Sequence, residues 1–167
     1  MSDLSPRIVV TTSDDPRARP LVDELSREYD ERYGLNDGIP SSVELSRYPP
    51  ELFTPSHGGI FLLVLLGDRV VAGGAYKRAD AVTVEIKRIW TASTHRRQGL
   101  ARLVMAELER EATARGYAHS TLTTGARQPE AVALYLSLGY APLFDLHGDL
   151  EEISYLHFAK PLETRAA

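Results

Sequence analysis

Thr91-Ala-Ser-Thr-His-Arg-Arg-Gln-Gly-Leu-Ala-Arg102 decides how this chain is read. Upstream, Val82, Val84 and Ile86 alternate with Thr83, Glu85 and Lys87, the period of a strand, which runs on to Thr91. Downstream, Leu100, Leu103, Val104 and Leu108 keep the spacing of an amphipathic helix, and Arg115-Gly116 ends it. A helix start leaves backbone N–H groups unpaired and carries partial positive charge, so it suits a phosphate or pyrophosphate. Gly99 and Ala101 are small enough to let a ligand reach the backbone, and Arg96, Arg97 and Arg102 add charge at the same place. The competing reading is a solvated basic helix start in which Gly99 merely eases a turn.

Working outward, Ile60–Leu66, the turn Gly67-Asp68-Arg69, Val70–Lys77 and Val82–Thr91 read as an antiparallel meander. Arg7–Thr12 is a β-branched first strand. Ser13-Asp14-Asp15-Pro16 marks a helix start, with an Asp cap and Pro in the first turn. From Pro20 to Tyr33 the positions Leu21, Val22, Leu25, Tyr29 and Tyr33 keep helical spacing until Gly34. Residues 34–58 read as a long loop with a short helix over Val43–Arg47, and loops of that length are often functional. Beyond the deciding stretch, His119–Thr124 is a strand and Pro129–Leu138 a helix between Gln128 and Gly139. Ala141–Asp145 and Ile153–Lys160 are two late strands, followed by a loose tail from Pro161. This order predicts an α/β or α+β domain with a mixed sheet, a single domain over 1–167.

The 167 residues suffice for one domain with its own core. A net charge of −4 argues against binding nucleic acid through overall positive charge. With no cysteine there is no disulfide, thiolate metal site or Cys nucleophile. The N-terminal residues lack the apolar core of a signal peptide, and the seven-residue run Ile60–Leu66 is far short of the ~20 a membrane span needs. A cytoplasmic protein with no membrane partner is the expectation. His57, His95, His119, His147 and His157 show no metal-ligand spacing, so no metal is expected, and no hydrolase, Walker or dinucleotide motif is present.

Arg96-x-x-Gly99-x-Ala101 resembles the acetyl-CoA signature of the GNAT superfamily of N-acetyltransferases, Gln/Arg-x-x-Gly-x-Gly/Ala. The strand Glu85–Trp90 enters the motif as the family's fourth strand does. Gln128-Pro-Glu-Ala131 through Leu134-Tyr135 to Gly139-Tyr140 resembles a second signature, Asn-x-x-Ala-x-x-Leu-Tyr-x-x-x-Gly-Phe. The close match covers about residues 82–145. It implies the GNAT fold: a mixed central sheet of about six to seven strands with helices on both faces. Arg97 stands where the family often has Gly, and Gln128 replaces Asn, lengthening the amide by a methylene. The acid that some members place on the fifth strand falls near Thr123, so that base is missing.

The resemblance implies acetyl-CoA as co-substrate and transfer of its acetyl group to an amine of a small molecule, peptide or protein. Arg96, Arg97, Gln98, Gly99, Leu100, Ala101 and Arg102, with Gln128, would bind the cofactor. Main chain at Ile89, Trp90 and Thr91 would pair with the pantetheine arm like an added strand. The N–H of Ile89 would stabilise the carbonyl oxyanion. Tyr135 matches the family tyrosine that protonates the departing thiolate, and otherwise reads as a core tyrosine. Glu85, eleven residues before Arg96, matches the base of histone-acetylating members. The alternative for Glu85 is a surface carboxylate paired across the sheet with Lys or Arg. Residues 85, 87 and 89 share a face unless a bulge intervenes. Tyr29, Tyr33, Tyr48 and Phe53 flank the long loop, which in the family walls the acceptor site; for Tyr29 the favoured reading is packing of the first helix on the sheet. Family members are often dimers, and no feature of the sequence decides between monomer and homodimer. A non-catalytic acyl-CoA-binding sensor on the same fold is the second reading; it shares the 96–102 site and has no use for Tyr135 or Glu85 as acid and base.

Overall fold

The structure, a computed structural model, describes residues 5–36, 39–40, 48–153 and 155–163, with backbone alone at 35, 36, 39 and 40. The short helix expected over Val43–Arg47 lies outside them. The strands of the main sheet are β1 (Arg7–Thr11), β4 (Ile60–Leu66), β5 (Arg69–Arg78), β6 (Thr83–Thr91), β7 (His119–Gly125), β8 (Ala141–Pro142) and β9 (Tyr155–Pro161). β2 (Leu35–Asn36) and β3 (Ile39–Pro40) pair with each other. The helices are α1 (Arg19–Tyr33), α2 (Leu100–Ala114), α3 (Pro129–Ser137) and the one-turn α4 (Leu150–Ile153). None of the described helices is long and apolar enough to cross a membrane.

The sheet runs β1-β4-β5-β6-β7-β9-β8, a seven-stranded mixed sheet as the resemblance implies. Neighbours are antiparallel except β6 and β7, which are parallel. β4 shows why the sheet is central. Ile60, Leu62 and Val64 join one buried cluster with α2 and α3 residues Val104, Leu108 and Tyr135. Phe61, Leu63 and Leu65 join the other, with Leu21 and Leu25 of α1 and Phe53. A strand covered on both faces reads as a continuous apolar run, which Ile60–Leu66 is. Asp15 caps a 3-10 turn at Pro16–Ala18, accepting from the Arg17 N–H, and α1 follows directly.

The expected long loop contains two 3-10 turns, Pro50–Phe53 and Pro55–His57, and Phe53 is fully buried against the sheet. Gly59 fixes that arrangement. A Cβ there would lie 2.1 Å from the Leu52 carbonyl oxygen and 2.7 Å from that of Tyr76. Backbone atoms on both sides cannot yield cheaply, so Gly59→Ala is expected to cost about 1–3 kcal/mol by overpacking. At roughly 2–4 °C per kcal/mol for a chain of this size, a thermal melt reads the effect; an unchanged midpoint would mean the turn yields freely.

The C-terminal region departs from expectation. The first late strand is confined to Ala141–Pro142, and residues 150–153 form a turn of helix before β9. Pro161 belongs to β9, and Leu162 is buried, its N–H donating to the Ala118 carbonyl at 2.8 Å.

Candidate active site

The parallel pairing of β6 with β7 runs only from Thr83↔His119 to Ile86↔Leu122. Both strands continue, β6 to Thr91 and β7 to Gly125, so they part beyond that point. At the parting β6 carries an extra residue. Its partners on β5 are Ala75 for Lys87 and Gly73 for Trp90, so two positions of β6 face the single residue Gly74. Arg88 within this bulge has φ 61, a left-handed conformation rarely adopted by a long side chain. The extra residue resets the alternation. Val84, Ile86 and Ile89 pack in the cluster under α2, whereas Trp90 packs under α1. The shared face expected for 85, 87 and 89 is therefore broken at 88. The Trp90 indole Nε1 is buried without a hydrogen-bond partner among the described residues.

β6 leads into the turn that opens α2. Ala92 is tied to β5 by its N–H on the Val71 carbonyl at 2.8 Å, and a 3-10 turn spans Ser93–His95. Arg96 is extended, Arg97 has φ 63 and Gly99 has φ 76. Two left-handed residues two apart fold the chain back so that Gly99 becomes the N-cap of α2. The bond from the Leu103 N–H to the Gly99 carbonyl, 3.1 Å, begins the helix, so Leu100, Ala101 and Arg102 precede its hydrogen-bonded ladder. The space beside Gly99 is open: apart from its chain neighbours, no atom of the described residues lies within 4 Å of a Cβ placed there. A concave turn, exposed N–H groups and open space fit a phosphate group.

The side chains of the motif do not all face that space. The Arg96 guanidinium ion-pairs with Glu28 of α1 and lies 3.9 Å from Glu24, which also accepts the Ser93 N–H at 2.7 Å. Its charge is directed to α1 in this structure. Arg97, Gln98 and Gly99 are exposed, while the Leu100 side chain is buried in the core, leaving its backbone for a ligand. Arg102 donates to the Ser137 Oγ at 2.6 Å and ties the start of α2 to α3. Gln128 donates its amide to the Tyr33 hydroxyl at 3.2 Å, and Arg32 meets Glu130 at 2.5 Å, so the end of α1 is docked on the start of α3.

Tyr135 lies on α3, 7% exposed, against Tyr140 and Phe158. Burial pushes its phenol well above the ordinary tyrosine range, with a smaller push from the Tyr29 phenol. Tyr29 also acts on Arg88, whose guanidinium is held below its usual value by burial and partly restored by that phenol. Tyr29 itself meets Tyr33 edge-on along α1, ring centroids 6.4 Å apart. Glu85 pairs across the sheet with Lys77 at 3.2 Å and lies 3.9 Å from Lys87, and both ammonium groups sit over the Tyr48 ring. The paired carboxylate foreseen as the alternative is realised. Arg88 is a residue of the site that the strand pattern alone does not mark. Its signal was the adjacency of Ile89 and Trp90, two apolar residues in a row where Val84 and Ile86 had alternated.

A family profile described as the acetyltransferase (GNAT) family matches residues 20–140. The chain belongs to the GNAT family. Over 76 residues it is 38% identical to an uncharacterized N-acetyltransferase, YsnE, of Bacillus subtilis (strain 168), covering 44% of this chain and 50% of that protein. Over 83 residues it is 32% identical to N-acetyltransferase 8 of Rattus norvegicus, covering 47% of this chain and 37% of that protein. The matches thus span half or less of the length of these curated relatives. Among solved structures, an acetyltransferase from Streptococcus agalactiae 2603 superposes with a TM-score of 0.74 at 19% identity, covering 94% of this chain and 98% of that one. The ribosomal-protein-S18-alanine N-acetyltransferase of Escherichia coli superposes with a TM-score of 0.65 at 17% identity, covering 97% of each chain. At these identities the likeness establishes the GNAT fold.

Proposed function

We propose that the chain is an acetyl-CoA-dependent N-acetyltransferase acting on an amine of a small molecule or peptide. The observation that carries this reading is the parting of β6 from β7 at a bulge, beside a left-handed turn that opens α2. N–H groups over residues 97–102 hold the pyrophosphate. Main chain at Ile89, Trp90 and Thr91 lies along the pantetheine arm in the parted strands, at the carboxyl end of a parallel pair. The Ile89 N–H donates to the thioester oxygen as charge develops there. The amine nitrogen forms its bond to the acetyl carbon, the C–S bond breaks, and the electron pair leaves on sulfur. Tyr135 hydrogen-bonds the departing sulfur and shares its proton.

Glu85 stands four residues and a bulge before Ile89, roughly 13 Å along the strand, so its carboxylate takes the amine proton through water. Glu85→Gln is expected to leave acetyl-CoA binding intact and to lower kcat/KM for the amine most near neutral pH. The loss should fade at high pH, where an amine of pKa ~10 is already neutral. A pH profile of kcat/KM checks this. An equal loss at every pH would assign Glu85, held between Lys77 and Lys87, to shaping the site, and no loss would leave it a surface residue.

The second reading, a non-catalytic acyl-CoA-binding module, draws on the same two residues. Tyr135 is core-buried and makes no side-chain hydrogen bond among the described residues, and Glu85 is engaged by lysines. Thiol release from acetyl-CoA across an amine panel separates the two readings: amine-dependent release supports transfer, and tight binding without release supports the module.

A further inference from the structure

Glu24, Glu28 and Arg32, spaced i, i+4, i+8, form a polar stripe on one face of α1. The stripe meets the elements that follow both parted strands. At the turn after β6, Glu24 accepts the Ser93 N–H at 2.7 Å and lies 3.9 Å from the Arg96 guanidinium, which ion-pairs with Glu28. After β7, Arg32 meets Glu130 and donates to the Arg127 carbonyl at 2.9 Å, while Arg127 donates to the Arg32 carbonyl at 2.8 Å. The next residue, Tyr33, accepts the Gln128 amide, and a Cβ built on Gly125 would lie 1.8 Å from its hydroxyl oxygen. α1 is thus a bar laid from the end of β6 to the end of β7.

At the β6 end, the bar engages the groups a phosphate needs. A guanidinium and a backbone N–H at a turn are anion ligands, and here both are satisfied by carboxylates of the protein itself. The contacts at the far end, with Leu21 and Leu25 buried against Trp90 and Ala92, anchor α1 without help from the turn. The two carboxylates are therefore presented to Arg96 at a high local concentration. They remain exchangeable. An open cavity of about 280 Å³ lies between α1 and the turn, bordered by these carboxylates and Arg96 together with Arg27 and Glu31. The Arg96 side chain is 51% exposed, and an ion pair that open to water is weak.

Arg96 directly precedes residues 97–102, and adjacent Cα atoms are 3.8 Å apart, so a pyrophosphate on those N–H groups lies within reach of the same guanidinium. Two carboxylates beside that pyrophosphate are like charges and repel it. We propose that Glu24 and Glu28 compete with the pyrophosphate of acetyl-CoA for Arg96 and the Ser93 N–H, so that seating the cofactor exchanges the α1 contacts at this turn for contacts to phosphate. This rests on the reading of residues 96–102 as the pyrophosphate site.

The test compares acetyl-CoA with S-acetylpantetheine, the thioester arm without nucleotide or phosphates, by calorimetry on the parent and on Glu24→Gln/Glu28→Gln. Glutamine keeps the size of each side chain and removes its charge. The double variant is expected to bind acetyl-CoA at least tenfold more tightly and acetylpantetheine within threefold of the parent. In an Arg96→Gln background the gain for acetyl-CoA is expected to shrink at least threefold. Should the double variant melt far below the parent, Glu28→Gln alone gives the answer, with at least threefold tightening expected because Glu28 is the direct partner of Arg96. Affinity for acetyl-CoA that is unchanged or weaker in the folded variants overturns the proposal. So does equal tightening of both ligands, or a gain undiminished in Arg96→Gln, which would make it a general field effect of the two charges. Each of these leaves the cofactor reading standing. Failure of the parent to bind acetyl-CoA at all sinks that reading and the competition with it.

Discussion

Gly99→Glu is expected to lower acetyl-CoA affinity by at least about 100-fold. Gly99 caps α2 in a left-handed conformation, and the space beside it is open. A Cβ there meets open space, so a glutamate can direct its carboxylate into the volume assigned to the pyrophosphate. Two like charges ~4 Å apart repel by about 4 kcal/mol at an effective dielectric of 20, and 1.4 kcal/mol is a factor of ten. The substitution also forces a non-glycine residue into φ 76, which costs ~1–2 kcal/mol of stability without touching the ligand. Gly99→Asn separates the two effects. Asn adopts the left-handed region readily and adds no charge, so it should bind acetyl-CoA within a few-fold of the parent. Calorimetry on both variants, after a melt confirms that they fold, reads the difference. Unaltered affinity in folded Gly99→Glu would move the pyrophosphate site away from this turn.

Tyr135→Phe is expected to lower kcat by roughly 10²-fold, the scale of one acid–base group, with acetyl-CoA affinity within about twofold of the parent. The change removes one hydroxyl from a ring packed against Tyr140 and Phe158 and keeps its volume. That hydroxyl has no hydrogen-bond partner among the described residues, so its loss leaves no buried group stranded. Stability should therefore hold or rise while turnover falls, a combination that a purely structural tyrosine would not give. Burial keeps the phenol protonated across the working pH range, so the proton is present when the thiolate departs. Single-turnover rates of thiol release measure the step directly. A variant as fast as the parent would return Tyr135 to the core and favour the binding-module reading.

Much of the fold was legible because its signals are local. Alternation in Val82–Thr91, the apolar run Ile60–Leu66 and the stripes of α1 and α2 were read within a residue or two. The C-terminal elements were harder. Pro142 lacks an N–H, and the strand stops there. Asp149 accepts the N–H groups of Glu151 and Glu152 at 3.1 and 3.3 Å, an N-cap signal that announces a helical turn where a strand was expected from Ile153. Leu162 was assigned to a loose tail because nothing local says that its N–H will find Ala118 across the sheet. In the site, the turn of residues 96–102 follows from small residues and charge, but the direction of the Arg96 side chain does not. It depends on Glu24 and Glu28, about 70 positions earlier in the chain. The bulge was anticipated only as an exception to parity, although Ile89-Trp90 carried its mark.

The parting of β6 from β7 also bears on how the molecule holds together. The sheet consists of two leaves, β1-β4-β5-β6 and β7-β9-β8, and the ladder between them extends only from Thr83↔His119 to Ile86↔Leu122. Within the leaves the β4–β5 and β7–β9 ladders run to seven pairs each, against four at the seam. The seam is therefore the natural boundary between two cooperative units, and local opening should respect it rather than cut across either leaf. A molecule seated along the parted strands would act as a suture, adding main-chain hydrogen bonds where the ladder between the leaves has stopped. Its binding energy then appears as coupling between the leaves, so the C-terminal leaf becomes harder to peel away without any change in the packing of either one.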